Sequence, residues 1–138
     1  MIYNNEILVS ASKDNTIKFW NLNNLKCIQT STIHNGSVNK LIMIPKDLER
    51  KSNIFISISD DGTAKMWNNT EVINDDILKE LALKNEKLLS ANYNKRFFYL
   101  SIGTDKGNIY NFKLDDYVKT LSGHIKRISK LLILSNKN

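Results

Sequence analysis

Serine, aspartate and tryptophan recur with one fixed spacing at two places in this sequence. The two sets are Ser10, Asp14 and Trp20, and Ser57, Asp61 and Trp67, which stand 47 residues further along. With His34 added, the second set holds the residue types of nucleophilic catalysis, which needs a base beside an exposed nucleophile. An active site has no reason to reproduce its serine and aspartate one period apart, whereas a structural brace does. We therefore expect no catalytic residues and no enzymatic activity.

The remaining polar residues do not indicate a metal, phosphate or cofactor site. Two histidines and one cysteine cannot supply a zinc site from these residue types alone. Acidic pairs occur at turn positions, where aspartate caps the backbone: Asp60-Asp61, Asp75-Asp76 and Asp115-Asp116. The stretch 103–107 lacks the Gly-Lys-Ser/Thr ending of a phosphate-binding loop. The sequence predicts no metal and no cofactor.

The elements that must position these residues are short β-strands. Most apolar stretches are short, alternate with polar residues and lie between turn signals, which is typical of strands rather than helices. Asp14-Asn15, Asp61-Gly62 and Lys106-Gly107 are dipeptides that tolerate positive φ in tight hairpins. The predicted strands include 7–9, 16–20, 39–44, 54–58, 64–67, 97–102 and 128–134.

These hairpins are copies of one repeat. A weaker third copy, 102–112, follows the second by 45 residues, and His34 and His124 stand 90 residues apart in similar segments. A repeat of about 40 to 45 residues with four strands, a Gly-His segment and a Trp closing the third strand is typical of a propeller blade. From about Ile7 to Leu134 the chain resembles the WD-repeat family of β-propellers.

The resemblance implies an all-β fold, a partial β-propeller of about three four-stranded antiparallel blades. Its expected parts are a partial blade of three outer strands at 7–30, a blade at 38–81, a blade at 88–121, and the inner strand of a further blade at 125–134. The stretch 75–90 is ambiguous. The repeat register favours an outer strand at 77–81, whereas its Leu, Lys and Glu content also suits a helix.

Three blades are too few to close a ring, because propellers close with roughly four to eight blades. Three explanations are open: the chain is a fragment of a longer propeller, it is completed by a homo-oligomer partner, or it is an open arc held by another protein. We expect either missing propeller blades or a second copy to complete the fold.

The resemblance also implies roles for individual residues. In this family a His, a Ser, an Asp and a Trp of one repeat form a buried hydrogen-bonded tetrad, which would here be His34, Ser57, Asp61 and Trp67. The first copy would form a partial tetrad of Ser10, Asp14 and Trp20. Family partners often contact residues that flank the tetrad His and Asp. The corresponding partner-binding candidates are Lys13, Ser37, Asn39, Asp60, Asp105, Arg127 and Ser129.

Charge bears on the kind of partner. The net charge is +6, but it comes from 17 Lys and only 3 Arg, and the lysines are scattered along the chain. Phosphate and base recognition favours clustered residues and the planar guanidinium, so nucleic acid is not the favoured partner. The leading hypothesis is a non-catalytic scaffold that binds other proteins or peptides within a larger complex. The alternative is an RNA-associated WD-repeat component of ribosome biogenesis or RNA processing.

The setting expected from the sequence is intracellular, either cytoplasmic or nuclear. The longest uninterrupted apolar runs have four residues, whereas a membrane-spanning helix needs roughly 20. The first residues lack the charged start and apolar run of a signal peptide. A single cysteine, Cys27, suits a reducing compartment and excludes an internal disulfide.

Overall fold

The computed structural model describes residues 2–3, 6–45, 54–68, 71–74, 85–113 and 116–134. In that part of the chain, twelve strands form three four-stranded antiparallel sheets, one after another in sequence. The strands are β1 (Ile2–Tyr3), β2 (Ile7–Ala11), β3 (Ile17–Asn21), β4 (Lys26–Ser31), β5 (Val38–Ile44), β6 (Ile54–Ser59), β7 (Ala64–Asn68), β8 (Glu71–Asn74), β9 (Leu88–Asn94), β10 (Tyr99–Thr104), β11 (Asn108–Lys113) and β12 (Asp116–Ser122). The predicted all-β, blade-like fold is confirmed.

The first sheet has one strand more than the sequence predicted. Its order is β1-β2-β3-β4, and the inner strand β1 pairs with β2 through Ile2↔Leu8 and Tyr3↔Ile7. The prediction gave this sheet only three outer strands, at 7–30, and missed the short inner strand β1. Two residues give no periodicity from which a strand can be recognised, so only their pairing reveals β1.

The second sheet, β5-β6-β7-β8, ends on an earlier outer strand than predicted. We expected the outer strand at 77–81, but β8 is Glu71–Asn74, and Val72 pairs with Trp67. Only two residues separate β7 from β8, and a connection this short returns the chain directly alongside the preceding strand. The range 77–81 lies outside the described residues. Of the helical alternative for 75–90, the described residues 85–90 are not helical, since β9 begins at Leu88, and the rest lies outside the described residues.

The third sheet consists of β9 to β12 in sequential order. After β12, the predicted inner strand at 125–134 forms no β-ladder among the described residues. A strand requires a hydrogen-bonded neighbour, and no described strand runs beside this segment. It docks on the third sheet instead: the Ile128 N–H donates to Thr104 O at 2.8 Å, and Ser90 Oγ donates to Ile128 O at 3.1 Å.

The tight turns between the second and third strands of each sheet adopt the predicted backbone. Asn15, Gly62 and Gly107 have φ angles of 71°, 80° and 85°. Their positive φ is confirmed, and it explains why Asn and Gly occupy these positions. Gly107 also needs its bare Cα, because an added Cβ would collide with the backbone carbonyl of His124.

In the described part of the chain, two hydrophobic cores lie between the three sheets. Val9, Ile17 and Phe19 of the first sheet pack against Val38, Phe55 and Trp67 of the second. The opposite face of the second sheet, including Ile56 and Met66, packs against Leu100, Ile102, Tyr110 and Phe112 of the third. All six residues of β6 are buried, since alternate side chains point into different cores. The outer strand β4, in contrast, is almost entirely exposed.

Within the described ranges there is no helix with the length and hydropathy needed to span a membrane.

Candidate functional site

The structure brings the four residues of the expected tetrad together on the second sheet. Ser57 lies on β6, Trp67 on β7 and Asp61 in the turn between them, while His34 precedes β5. His34 Nδ1 lies 3.0 Å from Asp61 Oδ2, and His34 Nε2 lies 2.8 Å from Ser57 Oγ. The indole N–H of Trp67 donates to Ser57 Oγ at 2.9 Å. If the imidazole is neutral and protonated on Nδ1, every donor of this tetrad has an acceptor within it.

Asp61 is the anchor of this network. Its Oδ1 accepts the N–H and the hydroxyl of Thr63 at 2.9 and 2.6 Å, and its Oδ2 accepts the Asn35 N–H at 2.9 Å. Partial burial by itself would raise the pKa of Asp61, but the hydrogen bonds from His34, Thr63 and Asn35 outweigh it. They hold the pKa of this carboxyl well below its usual range, so the network contains a carboxylate at neutral pH.

The same distances describe a Ser–His–Asp relay, yet the site is closed to substrates. Ser57 has no exposed surface, and His34 is 3% exposed. Nucleophilic catalysis needs a nucleophile that a substrate carbonyl can reach. The Ser57 oxygen also accepts a hydrogen bond from the buried indole N–H of Trp67. The arrangement acts as a brace between the segment before β5 and the β6–β7 hairpin.

The first sheet carries the partial tetrad in the same form. The Trp20 indole donates to Ser10 Oγ at 2.9 Å, and Asp14 Oδ1 accepts the N–H and hydroxyl of Thr16 at 2.9 and 2.7 Å. These hydrogen bonds of Thr16 lower the pKa of Asp14. Trp20 is only half-buried here.

The third sheet replaces the tetrad with a different buried network. Ile102 and Phe112 stand in the register positions of the serine and the tryptophan. In their place the carboxylate of Glu86, itself 6% exposed, accepts the Tyr110 hydroxyl at 2.9 Å and the Asn108 side-chain amide at 3.0 Å. Sequence reasoning missed Glu86, because an acidic residue among lysines is expected to be exposed to solvent.

Replacing Glu86 with leucine is expected to lower the free energy of unfolding by about 1–3 kcal/mol. The change removes the carboxylate that accepts from the buried Tyr110 hydroxyl and from the partly buried Asn108 amide, and losing hydrogen bonds to a charged group carries a cost of that size. Glu86→Gln keeps one acceptor oxygen and is expected to lose less than half as much. Denaturant unfolding of both variants measures the difference, and equal losses would contradict the role of the carboxylate as acceptor.

The candidates for partner binding lie together along one end of the three sheets. We call Lys13, Ser37, Asn39, Asp60, Lys87, Asp105, Arg127 and Ser129 the polar rim. Asn39 donates to Asp60 Oδ1 at 2.7 Å, and Lys87 Nζ lies 3.4 Å from Asp60 Oδ2. Ser37 Oγ donates to the backbone oxygen of Lys13 at 3.4 Å, and the backbone N–H of Lys87 donates to Asp105 Oδ1 at 2.9 Å. Arg127 and Ser129 are exposed on either side of the docked Ile128.

Lys87 was missed by the sequence prediction, although it bridges the second and third sheets. It directly precedes β9 as Ser37 directly precedes β5. Ser37 was selected because it flanks the tetrad histidine of its repeat. The third copy has no histidine at the corresponding place, so the same criterion could not select Lys87. In the described part of the chain, no group of three or more His, Cys, Asp or Glu side chains is arranged to hold a metal ion.

The N-terminal part of the chain matches a known repeat family. The family model described as "WD domain, G-beta repeat" matches residues 2–21 and 25–68. A curated relative, a UDP-galactose:fucoside alpha-3-galactosyltransferase of Dictyostelium discoideum, is 42% identical over 65 residues. The aligned stretch is 47% of this chain and 9% of that protein. The chain thus spans less than a tenth of the relative's length.

Solved structures support the fold. The computationally designed Ika8 protein is similar to this chain with a TM-score of 0.69 and 21% identity, over 98% of this chain and 39% of the designed one. The computationally designed Ika4 protein is similar with a TM-score of 0.70 and 21% identity, over 95% of this chain and 76% of the designed one. At this level of identity the similarity concerns the fold alone.

Proposed function

Residues 2–68 of this chain belong to the WD-repeat family, and from that premise we propose that the chain is a non-catalytic scaffold that binds proteins or peptides through the polar rim. WD repeats generally mediate protein–protein interaction. A fold alone does not specify a function, and it is the contacts of the rim side chains that support this one.

The observation that carries the proposal is the pre-ordered set of Asn39, Asp60 and Lys87. Asn39 is held by two hydrogen bonds of its side-chain amide, to Asp60 Oδ1 and to Leu88 O, both at 2.7 Å. Lys87 approaches the other oxygen of Asp60 while 56% of its side chain stays exposed. A partner that binds here does not have to order these side chains, which reduces the entropic cost of association.

Backbone hydrogen bonds hold the segments that carry the rim side chains. Val38 N donates to Ser12 O at 3.0 Å, and Asp60 N donates to Ser37 O at 2.9 Å. Asp105 N donates to Lys87 O at 3.1 Å. The first bond links β5 to the turn after β2, and the other two link the residue before β5 or β9 to a turn of the same sheet. Together with the Asn39 and Lys87 contacts between the second and third sheets, they give the rim side chains defined spacings. Fixed spacings are what selective recognition of an extended peptide requires.

The charge pattern of the rim suits a protein partner more than a polyanion. Asp60 and Asp105 alternate with Lys13, Lys87 and Arg127 along this end of the sheets. A ligand with both signs of charge finds a complement here, whereas a phosphate backbone would face two carboxylates. We do not extend the transferase activity of the curated relative to this chain, since the aligned stretch is 9% of that protein.

Selection of binding peptides from a displayed random library tests the proposal. We expect peptides that bind the chain and that lose about tenfold or more in affinity when Asp60→Asn is combined with Lys87→Ala. That loss corresponds to removing one or two charge-assisted hydrogen bonds of about 1.5–3 kcal/mol each. Lys26→Ala, an exposed lysine on the outer strand β4, is the matched control and is expected to bind as the unaltered chain does.

Two outcomes would contradict the proposal. Failure to select any peptide, or peptides whose affinity is insensitive to the rim variants, would remove the rim as a protein-binding surface. Salt-dependent binding to generic RNA without peptide binding would support the RNA-associated alternative instead.

A further inference from the structure

Asn35 and Gly36 form the one Asn-Gly pair of this sequence, and they lie between the tetrad residue His34 and the rim residue Ser37. In such a pair the backbone nitrogen of the glycine can attack the side-chain amide of the asparagine, because glycine has no Cβ to hinder the approach. The pair lies outside the ladder of the second sheet, since β5 begins at Val38. The segment before β5 therefore carries two groups that can react with each other.

In the described part of the chain, neither reacting group is held by a hydrogen bond. Asn35 is exposed, and its side-chain amide has no partner among the described residues. The backbone N–H of Gly36 likewise has no acceptor among them. No hydrogen bond of these two groups has to break before the Gly36 nitrogen approaches Cγ of Asn35.

Several other asparagines of the described ranges are held in place. The side-chain amide of Asn39 donates two hydrogen bonds, both at 2.7 Å. The side-chain oxygens of Asn21 and Asn94 accept backbone N–H groups of the turns that follow them. Each of the three is also followed by a residue with a Cβ. We therefore expect Asn35 to be the most reactive asparagine of the chain.

Asp61 also precedes a glycine, Gly62, but its environment disfavours the same ring closure. A carboxylate is a poor electrophile, and the hydrogen bonds to Asp61 hold its pKa below the usual range, so it stays ionised. Its two oxygens accept from His34, Thr63 and Asn35. The reactive pair of this region is therefore Asn35 with Gly36.

Segment 34–37 is attached to the β6–β7 turn at each of its four residues. The first two residues both reach Asp61 Oδ2, through the imidazole Nδ1 at 3.0 Å and a backbone N–H at 2.9 Å. The last two accept, through their backbone oxygens, from Ser59 Oγ and from the Asp60 N–H, each at 2.9 Å. The fit has no slack, because a Cβ added at Gly36 would lie 2.7 Å from Asp61 N. The reactive bond lies in the middle of these attachments.

We propose that Asn35 is a site of spontaneous deamidation, and that its isoaspartyl product opens the brace between segment 34–37 and the β6–β7 turn. The Gly36 nitrogen loses its proton to solvent and bonds to Asn35 Cγ, while the side-chain nitrogen takes up a proton and leaves as ammonia. Water then adds to one carbonyl carbon of the five-membered ring, and the bond from that carbon to the ring nitrogen breaks. Cleavage at the former backbone carbonyl gives isoaspartate, cleavage at Cγ gives aspartate, and neither step is a redox reaction.

The isoaspartyl product lengthens the main chain by one methylene between the two attached pairs. Because residues on both sides of it are bound to the same tight turn, the longer chain cannot keep all four attachments. Both products also place a new carboxylate beside Asp61, which already accepts the N–H of residue 35, and like charges repel. Deamidation therefore weakens the contact of His34 with Asp61 and displaces Ser37 at the polar rim.

Peptide mapping by mass spectrometry tests the site. After incubation of the folded chain in mildly alkaline buffer, we expect aspartate and isoaspartate to appear at Asn35 before any other asparagine reacts. Asn35→Gln is the matched control: it keeps an exposed amide but would have to close a less favourable six-membered ring, so it is expected to stay unmodified. The proposal is overturned if another asparagine reacts first. It is also overturned if Asn35 stays intact in the folded chain well beyond the time in which the urea-unfolded chain reacts there.

Urea unfolding of the products tests the effect on the brace. Ion exchange isolates the deamidated fraction, which has one more negative charge than the fresh chain, and the peptide map gives its isoaspartate content. Asn35→Asp adds the carboxylate but leaves the main chain unchanged. We expect the isoaspartyl form to have a lower urea midpoint than Asn35→Asp, and Asn35→Gln to unfold as the fresh chain does. Equal midpoints for the isoaspartyl form and Asn35→Asp would show that the brace stays closed.

Discussion

Replacing Trp67 with alanine is expected to lower the free energy of unfolding by about 3–5 kcal/mol, as for other large aromatic residues removed from a core. Trp67 is buried between the first and second sheets. Its ring stacks on Phe55 at a centroid distance of 5.5 Å and an interplanar angle of 3°, and it contacts Phe19 at 5.7 Å. Equilibrium unfolding in urea or guanidinium chloride measures the loss.

Trp20 provides a matched control within the same chain. It makes the same indole hydrogen bond to a serine, but its side chain is only half-buried. Trp20→Ala is expected to lose about 1–2 kcal/mol, because less apolar area is removed from the core. If the two alanine variants lose equal stability, the packing between the sheets is not what makes Trp67 important.

Asp61→Ala is expected to destabilise the chain by about 2–4 kcal/mol at neutral pH. The carboxylate accepts from His34, Thr63 and Asn35, and removing it leaves a buried imidazole and backbone donors without their acceptor. Asp14→Ala on the first sheet removes two equivalent bonds to Thr16 in an exposed turn, and it is expected to cost clearly less.

The contribution of Asp61 should depend on pH with a definite sign. Its pKa is lower in the folded state than the usual 3.8, so the unfolded chain takes up the proton first as the pH falls. The stabilisation is therefore complete above about pH 4 and decreases at lower pH. Unfolding at pH 7 and pH 3 should show the gap between the unaltered chain and Asp61→Ala narrowing at pH 3. An unchanged or wider gap would contradict the lowered pKa.

Local geometry explains why the hairpins of the first two repeats were predictable. Ser, Asp and Trp keep their spacing because β2 to β3 and β6 to β7 each turn through a hairpin with one positive-φ residue, Asn15 or Gly62. A tight turn fixes the register of the flanking strands, so residues with the same spacing in sequence take the same relative positions in space. The relative positions of Ser57, Asp61 and Trp67 follow from it, whereas the place of His34, 27 residues before Asp61, was implied only by the family resemblance.

Other features depend on contacts that no local pattern encodes. The strand β1 is defined only by its pairing with Leu8 and Ile7, and the segment 125–134 lacks a ladder only because no described strand lies beside it. The Glu86 network depends on Tyr110, which stands 24 residues away on another strand. Tertiary contacts determine these features, whereas sequence periodicity reports only which face of a strand is apolar.

The burial of β6 on both faces has a consequence for the order in which the chain opens and folds. Each neighbouring sheet covers one alternate set of its side chains. Among the described residues, the middle sheet therefore gains stability from two interfaces between sheets, whereas the first and third sheets, here called the outer sheets, each gain it from one. Opening is expected to start from the outer sheets, and the amides of 55–58 should exchange with solvent last. During synthesis, the middle sheet remains half-covered until β9 to β12 have emerged, because these strands supply the core on one of its faces.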